Sequence, residues 1–122
     1  MDGEISGSEL EAALDDEDPL VVDIRNPRQF ERLRIEGSVN IPLSQLPARV
    51  EEIRGKDHVV TVCPHGQASI KAARLITSFE GFDGRVESLE CGITGWDGPV
   101  EGEDVAPQDG ESGEEVESDA PF

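Results

Sequence analysis

Val59-Val60-Thr61-Val62-Cys63, then Pro64-His65-Gly66-Gln67, then Ala68-Ser69-Ile70-Lys71-Ala72-Ala73-Arg74-Leu75-Ile76, is the stretch that decides the fold. Its first five residues are apolar apart from one threonine, which suits a strand covered on both faces, as in a parallel sheet. The next four contain proline and glycine and read as a tight loop. From Ala68 the period changes. Ala72, Leu75, Ile76 and Phe79 fall at i, i+3, i+4 and i+7, with Lys71, Arg74 and Ser78 off that face, so a helix follows and Gly81 stops it. Cys63 therefore stands at the carboxyl end of a predicted central strand, where open α/β sheets hold their ligands. Amides turned inward by a tight loop, and the positive end of the helix starting near Ala68, stabilise negative charge there. Gly66 is the residue that lets such a loop turn. Thiols at helix N-termini fall from ~8.5 to as low as ~3.5–7.5, which makes the thiolate a nucleophile near neutral pH. The plainer reading of a lone cysteine is a small buried hydrophobe. The strand–loop–helix context favours the reactive thiol.

The rest of the chain repeats the alternation. Ser8-Glu9-Leu10-Glu11 has capping-box spacing, and Leu10, Ala13 and Leu14 form an apolar face, so a short helix is expected from about 8 to 15. Leu20-Val21-Val22-Asp23-Ile24 reads as a second buried strand. Asn26-Pro27 marks a turn, and Pro27 opens a helix running to about Leu33. Val39-Asn40-Ile41-Pro42 is a short extended piece, and Leu46, Val50 and Ile53 give a weak helical face before Gly55. Arg85-Val86-Glu87-Ser88-Leu89 is read as the last strand, followed by Gly92-Ile93-Thr94-Gly95-Trp96. Strands separated by helical crossovers predict an α/β fold: a central parallel sheet flanked by helices, with right-handed connections.

Composition bounds the function. The chain of 122 residues has room for one core. Its 28 Asp and Glu outweigh 10 Lys and Arg to give a net charge of −18, so nucleic acid and anionic membranes are disfavoured partners. No apolar run approaches the ~18 residues that a membrane span needs. The acidic start, MDGEISGSELEAALDDED, lacks the basic and apolar regions of a signal peptide, and the chain is read as cytoplasmic. Two cysteines, Cys63 and Cys91, are too few for a secreted disulfide scaffold. Residues 99–122 hold nine acids and no Lys or Arg, together with six of the chain's Gly and Pro residues. That segment is read as a disordered acidic tail after a domain spanning residues 1–98.

In three ordered pieces the chain resembles the rhodanese-like family of sulfurtransferases in its single-domain form. The pieces are VVDIRNPRQFERLRIEGSVNIPL, VVTVCPHGQAS with its helix, and CGITGWDGPV, and the likeness covers roughly residues 5–98. The resemblance implies that Cys63 takes a sulfane sulfur from a small anion such as thiosulfate, holds it as a persulfide, and passes it to a thiol or cyanide acceptor or to a protein. It implies no cofactor. His65, Gly66, Gln67, Ala68 and Ser69 would form the substrate loop, with Ser69 capping the helix or bonding the Cys63 sulfur. Asp23 and Arg25 match the family's strand-end acid and arginine, and a structural anchor is favoured over direct catalysis. Trp96 is read as a packing residue near the site.

Departures from the pattern matter as well. Many active relatives carry arginine directly after the cysteine and again five residues after it; here those positions are Pro64 and Ala68. Thiosulfate then loses two side-chain clamps, partly replaced by His65 and Lys71, and a binding or regulatory module without turnover stands as the alternative. The related phosphatases need a loop one residue longer with arginine six positions after cysteine, where this chain has Ser69, so phosphoryl transfer is disfavoured. Cys91, standing where the family usually has glycine, is either a resolving thiol for Cys63 or a small packed residue. Cys63, His65, Cys91 and His58 lack paired zinc spacing, so no metal is expected. The acid excess, with eight arginines and two lysines, points to a salt-rich cytoplasm such as that of a halophilic microbe.

Overall fold

The structure, a computed structural model, describes residues 3–105. In chain order these form β1 (Glu4–Ile5), α1 (Gly7–Asp16), β2 (Leu20–Asp23), α2 (Pro27–Arg32), β3 (Arg34–Ile35), β4 (Val39–Asn40), β5 (His58–Val62), α3 (Ala68–Ser78), β6 (Arg85–Leu89) and β7 (Val100–Glu101). Short 3₁₀ turns lie at Leu43–Gln45, Pro47–Glu52 and Ile93–Gly95. Five strands make one wholly parallel sheet in the order β1-β6-β5-β2-β4, the architecture expected from the sequence. β5 is central, and all five of its residues are buried.

Side chains of a strand alternate between faces, and here both faces are covered. On one side Val22, Val59, Cys63 and Val86 pack with Ala72, Ala73 and Ile76 of α3 and with Leu46 and Ile53 of the connecting turns. On the other, Val21, Val60, Val62 and Leu89 pack with Leu10 of α1, Ile35 and Trp96. Each large aliphatic side chain fully buried in this way contributes ~1.5–3 kcal/mol from removal of apolar surface from water. The two-sided burial explains why β2 and β5 read as continuous apolar runs rather than as alternating ones.

Three details differ from the sequence reading. α1 is capped two residues earlier than expected. Ser6 Oγ accepts from the Glu9 N–H at 3.1 Å and the Glu9 carboxylate accepts from the Ser6 N–H at 2.9 Å, closing a capping box. Both Ser6-x-x-Glu9 and Ser8-x-x-Glu11 satisfy the spacing. The pairing of β1 with β6 brings the chain in at Ile5 and selects the first. The weak helical face around Leu46–Ile53 becomes 3₁₀ turns, broken by Arg49 at φ −116° and ψ 21°. The expected boundary of the acidic tail also moves. Val100–Glu101 pairs antiparallel with β3, Arg34 Nε donates to Glu101 at 3.0 Å, and Arg32 meets Asp104 at 3.0 Å. The fold therefore continues past residue 98, because these acids find two of the chain's few arginines. The remainder of the predicted tail, residues 106–122, lies outside the described residues.

Candidate active site

Cys63 follows the last residue of β5 and is 2% exposed. The loop after it turns back so that the Gly66 N–H donates to Cys63 Sγ at 3.0 Å. Gly66 has φ +85°, and a Cβ built there would lie 2.2 Å from the Glu90 carbonyl oxygen, so no other residue fits. Gly92 makes the reciprocal approach: at φ +65°, its Cβ would lie 2.4 Å from the Pro64 carbonyl oxygen. The turn beginning at Ile93 completes the clamp. Ile93 N–H donates to the Cys63 carbonyl at 2.9 Å, and the backbone and hydroxyl of Thr94 donate to the Pro64 carbonyl at 3.1 and 2.8 Å.

Ser69, on the first turn of α3, stands 3.4 Å from Cys63 Sγ through its hydroxyl. Of the two roles read for it, the sulfur contact is the one observed; Gln67 occupies the cap position and makes no side-chain cap bond. Burial, the largest single influence, pushes the Cys63 thiol up. The Ser69 hydroxyl and the Ser69, His65 and Gly66 N–H groups together outweigh it and hold the thiol below its ordinary value. The amide cradle read from the sequence is thus the arrangement around the sulfur. His65, Gln67 and Ala68 form its exposed rim, with His65 Nδ1 3.4 Å from Thr94 Oγ1, and Lys71 is exposed one turn further along α3.

The supporting residues divide. Asp23 and Arg25 form a bidentate pair at the end of β2, with Arg25 Nη2 donating to Asp23 Oδ2 at 2.7 Å and side chains 1% and 7% exposed. Arg25 also donates to the Leu33 carbonyl, and Asn40 Nδ2 donates to both the Asp23 and Arg25 carbonyls at 2.9 Å. Arg25 is committed to its own strand end, which is the anchoring role. Cys91 and Cys63 are both free thiols, and they pack into clusters on opposite faces of the sheet. Burial, the largest influence, pushes the Cys91 thiol up; its own N–H opposes this, the charges of Asp97 and Glu90 add to the rise, and the Gly7 N–H opposes least, leaving the thiol above its ordinary value. Trp96 is buried beside it, its indole N–H donating to the Pro99 carbonyl at 3.1 Å. His58 lies at the other end of β5 against Glu87, and among the described residues no three His, Cys, Asp or Glu side chains converge on a metal position.

Two buried hydroxyls escaped the sequence reading. Thr61 Oγ1 donates to the Ser69 carbonyl at 2.7 Å, and Ser88 Oγ lies 2.6 Å from Ser69 Oγ. The available signal was periodicity: Thr61 lies between Val59 and Cys63, and Ser88 lies two residues after Val86, so both fall on an apolar face.

A model of the rhodanese-like domain matches residues 6–98. The chain belongs to the rhodanese-like domain family. It is 35% identical over 97 residues to a protein of Allochromatium vinosum named sulfurtransferase, covering 79% of this chain and 89% of that one. It is 30% identical over 99 residues to a Bacillus subtilis protein named "Putative sulfur carrier protein YrkF", covering 80% of this chain and spanning about half, 52%, of that relative. The rhodanese-like domain of the Anabaena protein Alr3790, solved in solution, superimposes with a TM-score of 0.73 at 21% identity over 89% of both chains, a likeness of fold. Rhodanese-like membership and relatives named sulfurtransferases support sulfur transfer in general.

Proposed function

We propose that this chain moves sulfane sulfur through a persulfide on Cys63. The observation that carries the reading is the sulfur's setting: a thiol at the end of β5, held below its ordinary pKa and met by Gly66 N–H at 3.0 Å. With thiosulfate as donor, the Cys63 thiolate attacks the outer sulfur. A new S–S bond forms on Cys63, the sulfur–sulfur bond of thiosulfate breaks, and its electron pair leaves with sulfite. A thiolate or cyanide acceptor then attacks the terminal persulfide sulfur and regenerates the Cys63 thiolate. The amides around the loop stabilise the negative terminal sulfur as they do the thiolate. Pro64, which has no N–H, cannot join them.

Incubation with thiosulfate or with a polysulfide, followed by intact mass measurement, tests the reading. One added sulfur on Cys63 is the expected result. Absence of label from both donors, while the unfolded chain reacts normally with thiol reagents, would overturn it. A binding module without turnover is favoured by one observation, the absence of cations at positions 64 and 68. It predicts a Cys63→Ser protein that keeps its partner and its effect in the cell. We further infer a soluble cytoplasmic setting at high salt, tested by stability in molar KCl against dilute buffer.

A further inference from the structure

Ser88 stands on β6, beside Thr61 of β5 in the sheet register, and its side chain is fully buried. Among the described residues its hydroxyl has one side-chain partner, Ser69 Oγ at 2.6 Å. Ser69, equally buried, has two: Ser88 and Cys63 Sγ. That inequality fixes a direction. If Ser69 donated to Ser88, the Ser88 proton would be left without an acceptor where no water reaches, and a buried unsatisfied hydroxyl is costly. If Ser88 donates to Ser69, the Ser69 proton turns to its remaining neighbour, the sulfur. All three groups are then satisfied at once when the sulfur is a thiolate, which accepts and needs no acceptor of its own.

We propose that Ser88 is a positioning residue that aims the Ser69 hydroxyl at Cys63 and so favours the thiolate. This rests on the reading of Cys63 as the nucleophile and assigns part of its ionisation to a second strand. Ser88 touches neither sulfur nor donor; it acts through the orientation of Ser69. Thr61 supports the same geometry by holding the Ser69 carbonyl and with it the start of α3.

The test is the pH profile of Cys63 alkylation in a Cys91→Ser background without any sulfur donor, so that its outcome does not depend on sulfur transfer. Ser88→Ala is expected to move the midpoint to higher pH, equivalent to a roughly three- to tenfold smaller ionisation constant. In a Ser69→Ala background the same change is expected to move nothing further, since the route through Ser69 is gone. If Ser88→Ala leaves a cavity that prevents folding, Ser88→Thr and Ser88→Val are compared, two side chains of one shape that differ in the hydroxyl; Thr retains the midpoint and Val raises it. A Ser88→Ala midpoint equal to the parent's, an equal shift with Ser69 absent, or coincident Thr and Val profiles would overturn the proposal. Sulfur loading from thiosulfate, measured separately on the parent, reports on the nucleophile reading alone.

Discussion

Cys63 and Cys91 follow neighbouring parallel strands at the same edge of the sheet, yet their thiols are pushed in opposite directions. Both are raised by burial, so burial does not separate them. Cys63 meets a hydroxyl and three amide N–H groups. Cys91 faces the charges of Asp97 and Glu90 with two N–H groups against them. A place at the carboxyl edge of a parallel sheet is therefore insufficient to lower a thiol's pKa; the donors converging on the sulfur and the charges beside it make the difference.

The contrast breaks most completely if the two thiols exchange roles under mutation. Cys63→Ser is expected to abolish sulfur loading and Cys91→Ser to preserve it, as read by intact mass after exposure to thiosulfate. Loading that persists in Cys63→Ser would place the chemistry on Cys91. Next in size is the backbone around each sulfur. Gly66→Ala meets both a positive φ and the Glu90 carbonyl, and is expected to cost at least ~2 kcal/mol in denaturant unfolding. Gly7→Ala, whose Cβ would sit 3.4 Å from Cys91 Sγ in ordinary contact, is expected to be near neutral.

Restoring a cation sharpens the same comparison from the substrate's side. Ala68→Arg is expected to strengthen thiosulfate binding at Cys63 by roughly ten- to a hundredfold, measured by the concentration dependence of loading, and to leave Cys91 alkylation unchanged. The pH dependence separates the thiols more modestly. Alkylation of Cys63 should rise with a midpoint below the ordinary thiol value and that of Cys91 above it. Ser69→Ala should weaken Cys63 ionisation about tenfold and not touch Cys91. The linkage signs follow. A lowered Cys63 pKa gives stability that is complete above the unfolded thiol's value and lost as pH falls through the folded midpoint, whereas raised Cys91 costs stability as pH climbs past the unfolded value. The smallest effect expected is that of salt. Molar KCl, where the Debye length is ~3 Å, should speed loading by the thiosulfate anion roughly two- to threefold at net charge −18, while a neutral reagent on Cys91 is unaffected.

Strong local signals are legible in the sequence alone. The apolar runs of β2 and β5, the spacing of Ala72, Leu75 and Ile76, and Pro27 opening α2 each state their structure in a handful of neighbouring residues. Cys63 and its loop were legible for the same reason, since strand end, glycine and helix start are consecutive. β1, β3 and β7 were not, because two residues carry no period and each exists through its partner strand. Ser88 was invisible as part of the site for a related cause: nineteen positions separate it from Ser69, and only the β5–β6 register brings them together.

The Glu90 carbonyl fills the space a side chain at Gly66 would need, and the Pro64 carbonyl fills the space a side chain at Gly92 would need, so the two loops are joined like a dovetail. Neither can swing outward without dragging its neighbour, and each is further fastened through the hydrogen bonds of Ile93 and Thr94. Under the proposed function, a donor would meet Cys63 over the exposed rim of His65, Gln67 and Ala68, and the breadth of that rim would set how bulky an incoming sulfur carrier is allowed to be.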